Sequence, residues 1–246
     1  NFFSLITIMF TKKFSQKIEV AMKKMFFWFL SLNPVEREIQ DPKIKLLNSM
    51  RVTSRCRFNR AESLKNISFY SFFTTTILSL GLIFIPLFQI TGREMHYSSN
   101  ALTVIQIFLA VSVLVYSVVI ATSKYELRAA LLDECGVKIK ELIRRLRAEI
   151  FEPESEVAVV DLNKYHKMYN KVTCSCENHK RVDYLFATLE SRNDFNITGI
   201  VRLWKFVKGY AIRFFPYIIP TFLIVCEVLF ISDIMGMTSI FTSYFN

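Results

Sequence analysis

The densest set of reactive side chains in the chain is the stretch CSCENHKRVDY, residues 174–184. It holds two thiols, an imidazole and two carboxylates within eleven residues. Three chemistries are open to such a set: metal binding, nucleophilic catalysis, or a packed surface that a partner reads. Structural zinc wants four ligands, usually two pairs of the C-x₂₋₄-C kind. Here the spacing between Cys174 and Cys176 is C-x-C, which on a helix turns the thiols about 200° apart. His166 is the only further candidate ligand nearby, and no second pair exists, so no metal is expected. Cys176 and His179 stand at i,i+3, close enough to touch on a helix. A thiolate nucleophile also needs an orienting group and donors for an oxyanion. The sequence offers no glycine-rich loop and no Walker, dinucleotide or metallohydrolase motif, so neither a catalytic residue nor a cofactor is expected. The remaining reading is structural. His179 falls between Cys176, Val182 and Phe186 on the packed face of a helix, with Asp183 one turn on to accept from its ring. A regulatory His179 that binds a proton or a ligand is the sharper alternative.

The elements that must carry this stretch are long helices. The chain of 246 residues has only six glycines and six prolines, too few turns for a sandwich or barrel. It is 52% hydrophobic and carries a formal net charge of +10, with a mean hydropathy of +0.31. Such a charge fits nucleic acid or an anionic membrane surface, and the long apolar runs decide for the membrane. No direct nucleic-acid binding is expected. Five dispersed cysteines make a poor disulfide framework and fit a reducing compartment.

Asp41 and Pro42 open a helix as cap and first residue, with Ile44, Leu47, Cys56, Ala61 and Leu64 as a loose apolar stripe. No proline interrupts it before Pro86, so it runs into the uncharged stretch 67–90, long enough to cross a bilayer. A ten-residue link leads to a second uncharged span, 101–123, and forces an antiparallel hairpin. This span has no stop signal and continues as an amphipathic helix with Leu127, Leu131, Ile139, Leu142, Leu146 and Ile150 on one face. Pro153 breaks it. A second soluble helix follows, with Val157, Val160, Tyr165, Met168, Val172, Cys176, Val182, Phe186 and Leu189 near one face. The two soluble helices are expected to pack antiparallel within 124–190. After the linker 191–199, an interfacial helix carries Trp204, Phe206 and Tyr210 among basic residues. A third membrane segment spans 214–232. Residues 1–40 are poorly defined; the chain opens on Asn1, and Met9, Met22 and Met25 are candidate starts.

Basic residues set the orientation. Arg51, Arg55, Arg57, Arg60 and Lys65 precede the first span, and Lys124 and Arg128 follow the second. The intervening loop holds only Arg93. The N-terminal part and residues 124–200 are therefore expected in the cytoplasm, and the extreme C-terminus outside. Within the spans, Ser71, Thr75 and Ser79 form a weakly polar stripe. Ser117 and Ala121 give a small-xxx-small spacing suited to helix packing, although Ser and Thr also bond their own helix backbone. Glu227 is an intramembrane carboxylate, expected to face protein or a wet lumen.

Three segments together carry a resemblance. RCRFNRAESLKN (55–66) precedes the hairpin, SKYELRAALLDECGVKIKELIRRLRAE (123–149) follows it, and YHKMYNKVTCSCENHKRVDYLF (165–186) comes next. In that order they resemble the SLATT family, the SMODS and SLOG-associating two-transmembrane effector domain of bacteria. Asn178, His179, Asp183 and Tyr184 match its ENH…DY signature. The likeness covers about residues 40–200, the domain itself being 41–190, and the third segment fits a branch with an added C-terminal hydrophobic stretch. The resemblance implies an all-α protein of the bacterial inner membrane that disrupts the membrane when a genetic partner senses invasion. That partner would be a nucleotide second-messenger synthase, a SLOG-type sensor or a reverse transcriptase. The expected contacts are the lipid bilayer and further copies in a homo-oligomer, since one hairpin cannot enclose water. Two other classes fit the same anatomy: a membrane-anchored adaptor whose cytosolic helices bind a partner, and a small ion channel or transporter subunit. An enzyme with a site invisible in the sequence is the weakest.

Overall fold

The computed structural model describes residues 22–32, 34–36, 39–91, 97–151, 160–192 and 194–240. Arg93, Pro153 and Val157, each used above, lie outside them. Among the described residues the chain is helical, with no strand beyond an isolated bridge between Glu36 and Phe195. The helices are α1 (22–29), α2 (Pro42–Ile90), α3 (Ser99–Ser123), α4 (Tyr125–Phe151), α5 (Leu162–Cys174), α6 (Arg181–Glu190), α7 (Gly199–Phe214) and α8 (Ile218–Ile234), the last two joined by a 3₁₀ turn at Phe215–Tyr217.

Asp41 caps α2 as expected: Lys43 N donates to its Oδ1 at 2.8 Å. The helix then runs 49 residues without a break, Pro86 included, about 70 Å at helical rise. Among the described residues, three stretches are long and apolar enough to cross a membrane: Pro42–Ile90, Ser99–Phe151 and Gly199–Ile234. The chain folds as two compact units, 1–59 with 135–212 and 60–134 with 213–246.

In the first unit, Leu46, Leu47 and Met50 of α2 share a core with Cys135, Ile139, Leu142 and Leu146 of α4 and Tyr165 of α5. Tyr165 Oη donates to Glu149 at 2.7 Å and Cys135 Sγ to the Val172 carbonyl at 3.7 Å. This pairing of 165 with 149 and 172 with 135 makes α4 and α5 antiparallel. Sequence periodicity identified that pair but omitted α2, which supplies the third wall. The α4 stripe also differs from expectation, because Leu127 and Leu131 are 57% and 51% exposed. Extending the 139-142-146 rhythm backwards gives 135 and 132, the positions that are buried, rather than 131 and 127. Ser31 and Val35 lie along 196–198, with Ser31 Oγ on the Asn196 carbonyl at 3.2 Å and Asn196 N on the Val35 carbonyl at 2.8 Å. Gly199 sits at φ +55°, where a Cβ would overlap Phe29, so this corner requires glycine.

In the second unit, α2 and α3 form the antiparallel hairpin. Gln106 bonds Gln89 at 3.3 Å and Tyr116 bonds Ser71 at 3.1 Å. Tyr70 bonds Thr221 at 2.7 Å, and further along Gly81 faces Glu227. Helix α8 therefore runs in the same direction as α2. Leu78, Ile85, Tyr97, Leu102, Leu109, Phe230 and Ile234 form the core.

Two breaks differ from expectation. Lys124 adopts φ 46° and ψ 43°, so a left-handed residue separates α3 from α4 where a continuous helix was expected. Thr122 and Ser123 bond back to the Val118 and Val119 carbonyls, and Arg128 donates to the Ser123 carbonyl at 3.3 Å. The left-handed Lys124 is thus the cap that ends α3, without a glycine. The second break falls inside the opening motif.

Candidate functional site

Residues 175–180 are not helical; they link α5 to α6. Cys176 Sγ bonds back to the Val172 carbonyl at 3.2 Å, closing α5. The Lys180 backbone N–H donates to Asp183 Oδ2 at 2.8 Å, which starts α6 as half of a capping box. Asp183 is thus held by its own helix start, and it is 3% exposed. The loop is fixed from the α2 side. Arg57 Nη1 donates to the Glu177 carbonyl and Asn59 Nδ2 to the Asp183 carbonyl at 3.5 Å.

This frame leaves Asn178 exposed and His179 half-buried. Among the described residues His179 Nδ1 is buried without a hydrogen-bond partner. Burial, then the Arg57 charge, lower its pKa below 6.5, and Asp183 opposes them. The ring lies 6.4 Å from that of Tyr184 at an interplanar angle of 26°. Both border a cavity of about 620 Å³ that Glu36, Asn48, Thr53 and Asp194 also line. Burial and then Glu36 raise the Tyr184 hydroxyl above its usual range. Nearby thiols are held protonated: burial is the first cause pushing Cys56 and Cys135 each up to about 12. A half-buried imidazole beside an aromatic hydroxyl in a polar cavity can contact a ligand or a partner's side chain, its Nδ1 being itself buried. It lacks an activated nucleophile.

The basic residues expected near the membrane divide by burial. Arg57 and Arg60 are 3% and 4% exposed and belong to the packing of α2. Arg55 bonds Ser191 and Arg51 bonds Asn48. In the second unit, Lys65 pairs with Asp133. Lys65, Thr75, Ser117 and Lys124 come together along a groove of about 1080 Å³ that Phe69 and Phe72 also line.

The polar stripe in the first span is largely closed on itself. Thr75 Oγ1 bonds the Ser71 carbonyl at 2.8 Å and Ser79 Oγ the Thr75 carbonyl at 2.7 Å. Ser71 receives the Tyr116 hydroxyl. Pro220 and Glu227 are buried in α8, and Arg213 of α7 lies 3.5 Å from Glu62. Asp233, not singled out from the sequence, is fully buried: its Oδ2 accepts from Tyr97 Oη at 2.6 Å and its Oδ1 from Ile240 N at 2.9 Å. Its partner stands 136 residues away, beyond the reach of any local pattern.

The model of the SMODS and SLOG-associating 2TM effector domain family 5 matches residues 39–231. The match continues well past residue 200 and takes in most of the third apolar helix. No curated protein and no solved structure matches the chain.

Proposed function

The chain belongs to the SMODS and SLOG-associating 2TM effector domain family 5, and from that premise we propose that it assembles from several copies and permeabilises the bacterial inner membrane when a cognate partner signals. The observation that carries this is the state of α3. In its most apolar window only 6% of residues are buried within the chain, against 28% for α2. Phe108, Val111, Leu114, Val115 and Val118 all point outward. Lipid or a second copy must cover that face. Three spans of one chain cannot enclose water, so a pore uses it between copies, where small residues and close packing hold helices together.

The trigger enters through the loop 175–180 and the His179 cavity. The partner is a nucleotide second-messenger synthase, a SLOG-type sensor or a reverse transcriptase encoded nearby. Its binding shifts assembly only if it favours the assembled state. In this reading residues 124–200 face the cytoplasm and the extreme C-terminus faces outward. A second reading, a membrane-anchored adaptor, draws on the same cavity, with the spans as anchor alone. Expression in bacteria with and without the neighbouring genes separates the two, using a potential-sensitive dye and propidium uptake. The expected result is depolarisation before growth stops. Arrest with an intact potential and dye exclusion would move the protein to the adaptor class.

A further inference from the structure

Helix α8 buries two carboxylic acids, six residues apart, and treats them differently. Asp233 is fully buried and both its oxygens accept hydrogen bonds, from Tyr97 Oη and Ile240 N. Glu227 is 3% exposed, and among the described residues neither of its oxygens has a partner. It is pressed against Gly81 of α2, where a Cβ would overlap Oε1. The missing side chain at Gly81 is what makes room for the carboxyl.

Among the described residues, no charge stands ready to balance it. Residues 67–90 of α2 and 101–123 of α3 are uncharged. The titratable groups there are already engaged: Tyr70 with Thr221, and Tyr116 with Ser71. On the α8 side, Asp233 is bonded to Tyr97, Tyr217 packs edge-on against Tyr70, and Arg213 lies on Glu62. Cys226, the neighbour in sequence, is a free thiol. A neutral acid in such a niche forgoes hydrogen bonds. An unpaired carboxylate there also forgoes the solvation of a full charge and costs more. The neutral form wins by that difference.

We infer that Glu227 is a proton-binding site: the fold holds its carboxyl as the neutral acid against Gly81, and loss of the proton unseats α8 from α2. The Oε–H proton passes to water, and the carboxylate left behind needs water or a cation that the dry contact with Gly81 excludes. The second unit thereby carries a proton-dependent contact between two of its membrane helices. This stands whether or not the protein permeabilises membranes, because its test reads the proton and not leakage.

The test uses the full chain in bacterial membranes. Dicyclohexylcarbodiimide, an apolar reagent that adds to protonated carboxyls, is applied across a pH series and the adduct is mapped by mass spectrometry. The expected adduct sits on Glu227 at neutral pH, fades as the pH is raised, and is lost in Glu227→Gln, while Asp233 stays unmodified. Infrared spectra of the same membranes give an independent reading. The C=O stretch of a protonated carboxyl should be present in the wild type and lost in Glu227→Gln. If that variant does not accumulate, the pH series on the wild type decides alone. A reagent that modifies Asp233 and spares Glu227, or labelling of Glu227 that does not fall as the pH rises, overturns the inference, as do infrared spectra that coincide in that band.

Discussion

Arg57 in the first unit and Glu227 in the second are each 3% exposed, yet their surroundings are opposites. Arg57 donates Nη1 to the Glu177 carbonyl, although its Nε is left without a partner, and that bond shapes the loop that presents His179. Glu227 faces a glycine and has no hydrogen-bond partner among the described residues. Apolar surface follows the same division. The core of the first unit closes over Leu47, Met50, Ile139 and Leu146, each below 2% exposed, whereas α3 of the second shows Val111 at 53% and Leu114 at 65%. The first unit uses its buried polar groups to specify one loop. The second ties its tyrosine hydroxyls across helices, as Tyr70, Tyr97 and Tyr116 do, turns Thr75 and Ser79 back on their own backbone, and leaves an apolar face for something else to cover.

The largest expected effect separates these packings directly. Leu146→Ala removes a fully buried side chain from the first unit and should cost about 2–5 kcal/mol. Val111→Ala should change the stability of the dispersed chain by less than about 0.5 kcal/mol while weakening crosslinking between copies in membranes. Denaturation in detergent and crosslinking in membranes measure the two. If Val111→Ala destabilises as much as Leu146→Ala, α3 is buried within its own chain and the contrast collapses.

A smaller effect is expected at the loop. Arg57→Ala removes the charged donor to the Glu177 carbonyl, worth about 1.5–3 kcal/mol. Residues 175–180 should then become protease-sensitive while α4 and α5 stay folded. A protease-resistant loop in that variant would mean that Arg57 is not what holds it.

The smallest concerns pH. Burial and Arg57 hold His179 below its ordinary pKa of 6.5. The unfolded chain therefore takes up a proton near that value while the folded chain resists it. The contribution to stability is complete above about 6.5 and declines as the pH falls from there toward the folded value. Melting of the chain between pH 7 and 5 should show a downward slope that His179→Gln flattens. An unchanged slope in that variant would remove His179 as the titrating group.

Much of the fold was legible because charge-free runs and heptad-like spacing are local properties. The hairpin, the antiparallel pair and the Asp41 cap all follow from neighbours in sequence. The break at Lys124 was not, because a left-handed lysine carries none of the signal a glycine would. The loop at 175–180 was half-legible. Asp183 at the third position of α6 is a capping residue, but apolar spacing through Cys176, Val182 and Phe186 argued for one continuous helix. Asn178, His179, Asp183 and Tyr184 could be singled out from the sequence, but the loop that carries the first two could not. Glu227 stood out as an acid in an apolar run, whereas Gly81 did not, since a glycine in a membrane helix gains meaning only from what lies opposite.

Patch recording from giant spheroplasts of cells that carry the chain with its neighbouring genes, before and after the system is triggered, is the most direct measurement. Assembly into a pore predicts discrete conductance steps after triggering, absent from cells lacking the chain and reduced when Val111 is replaced by alanine. Growth arrest with a silent, high-resistance membrane would contradict it.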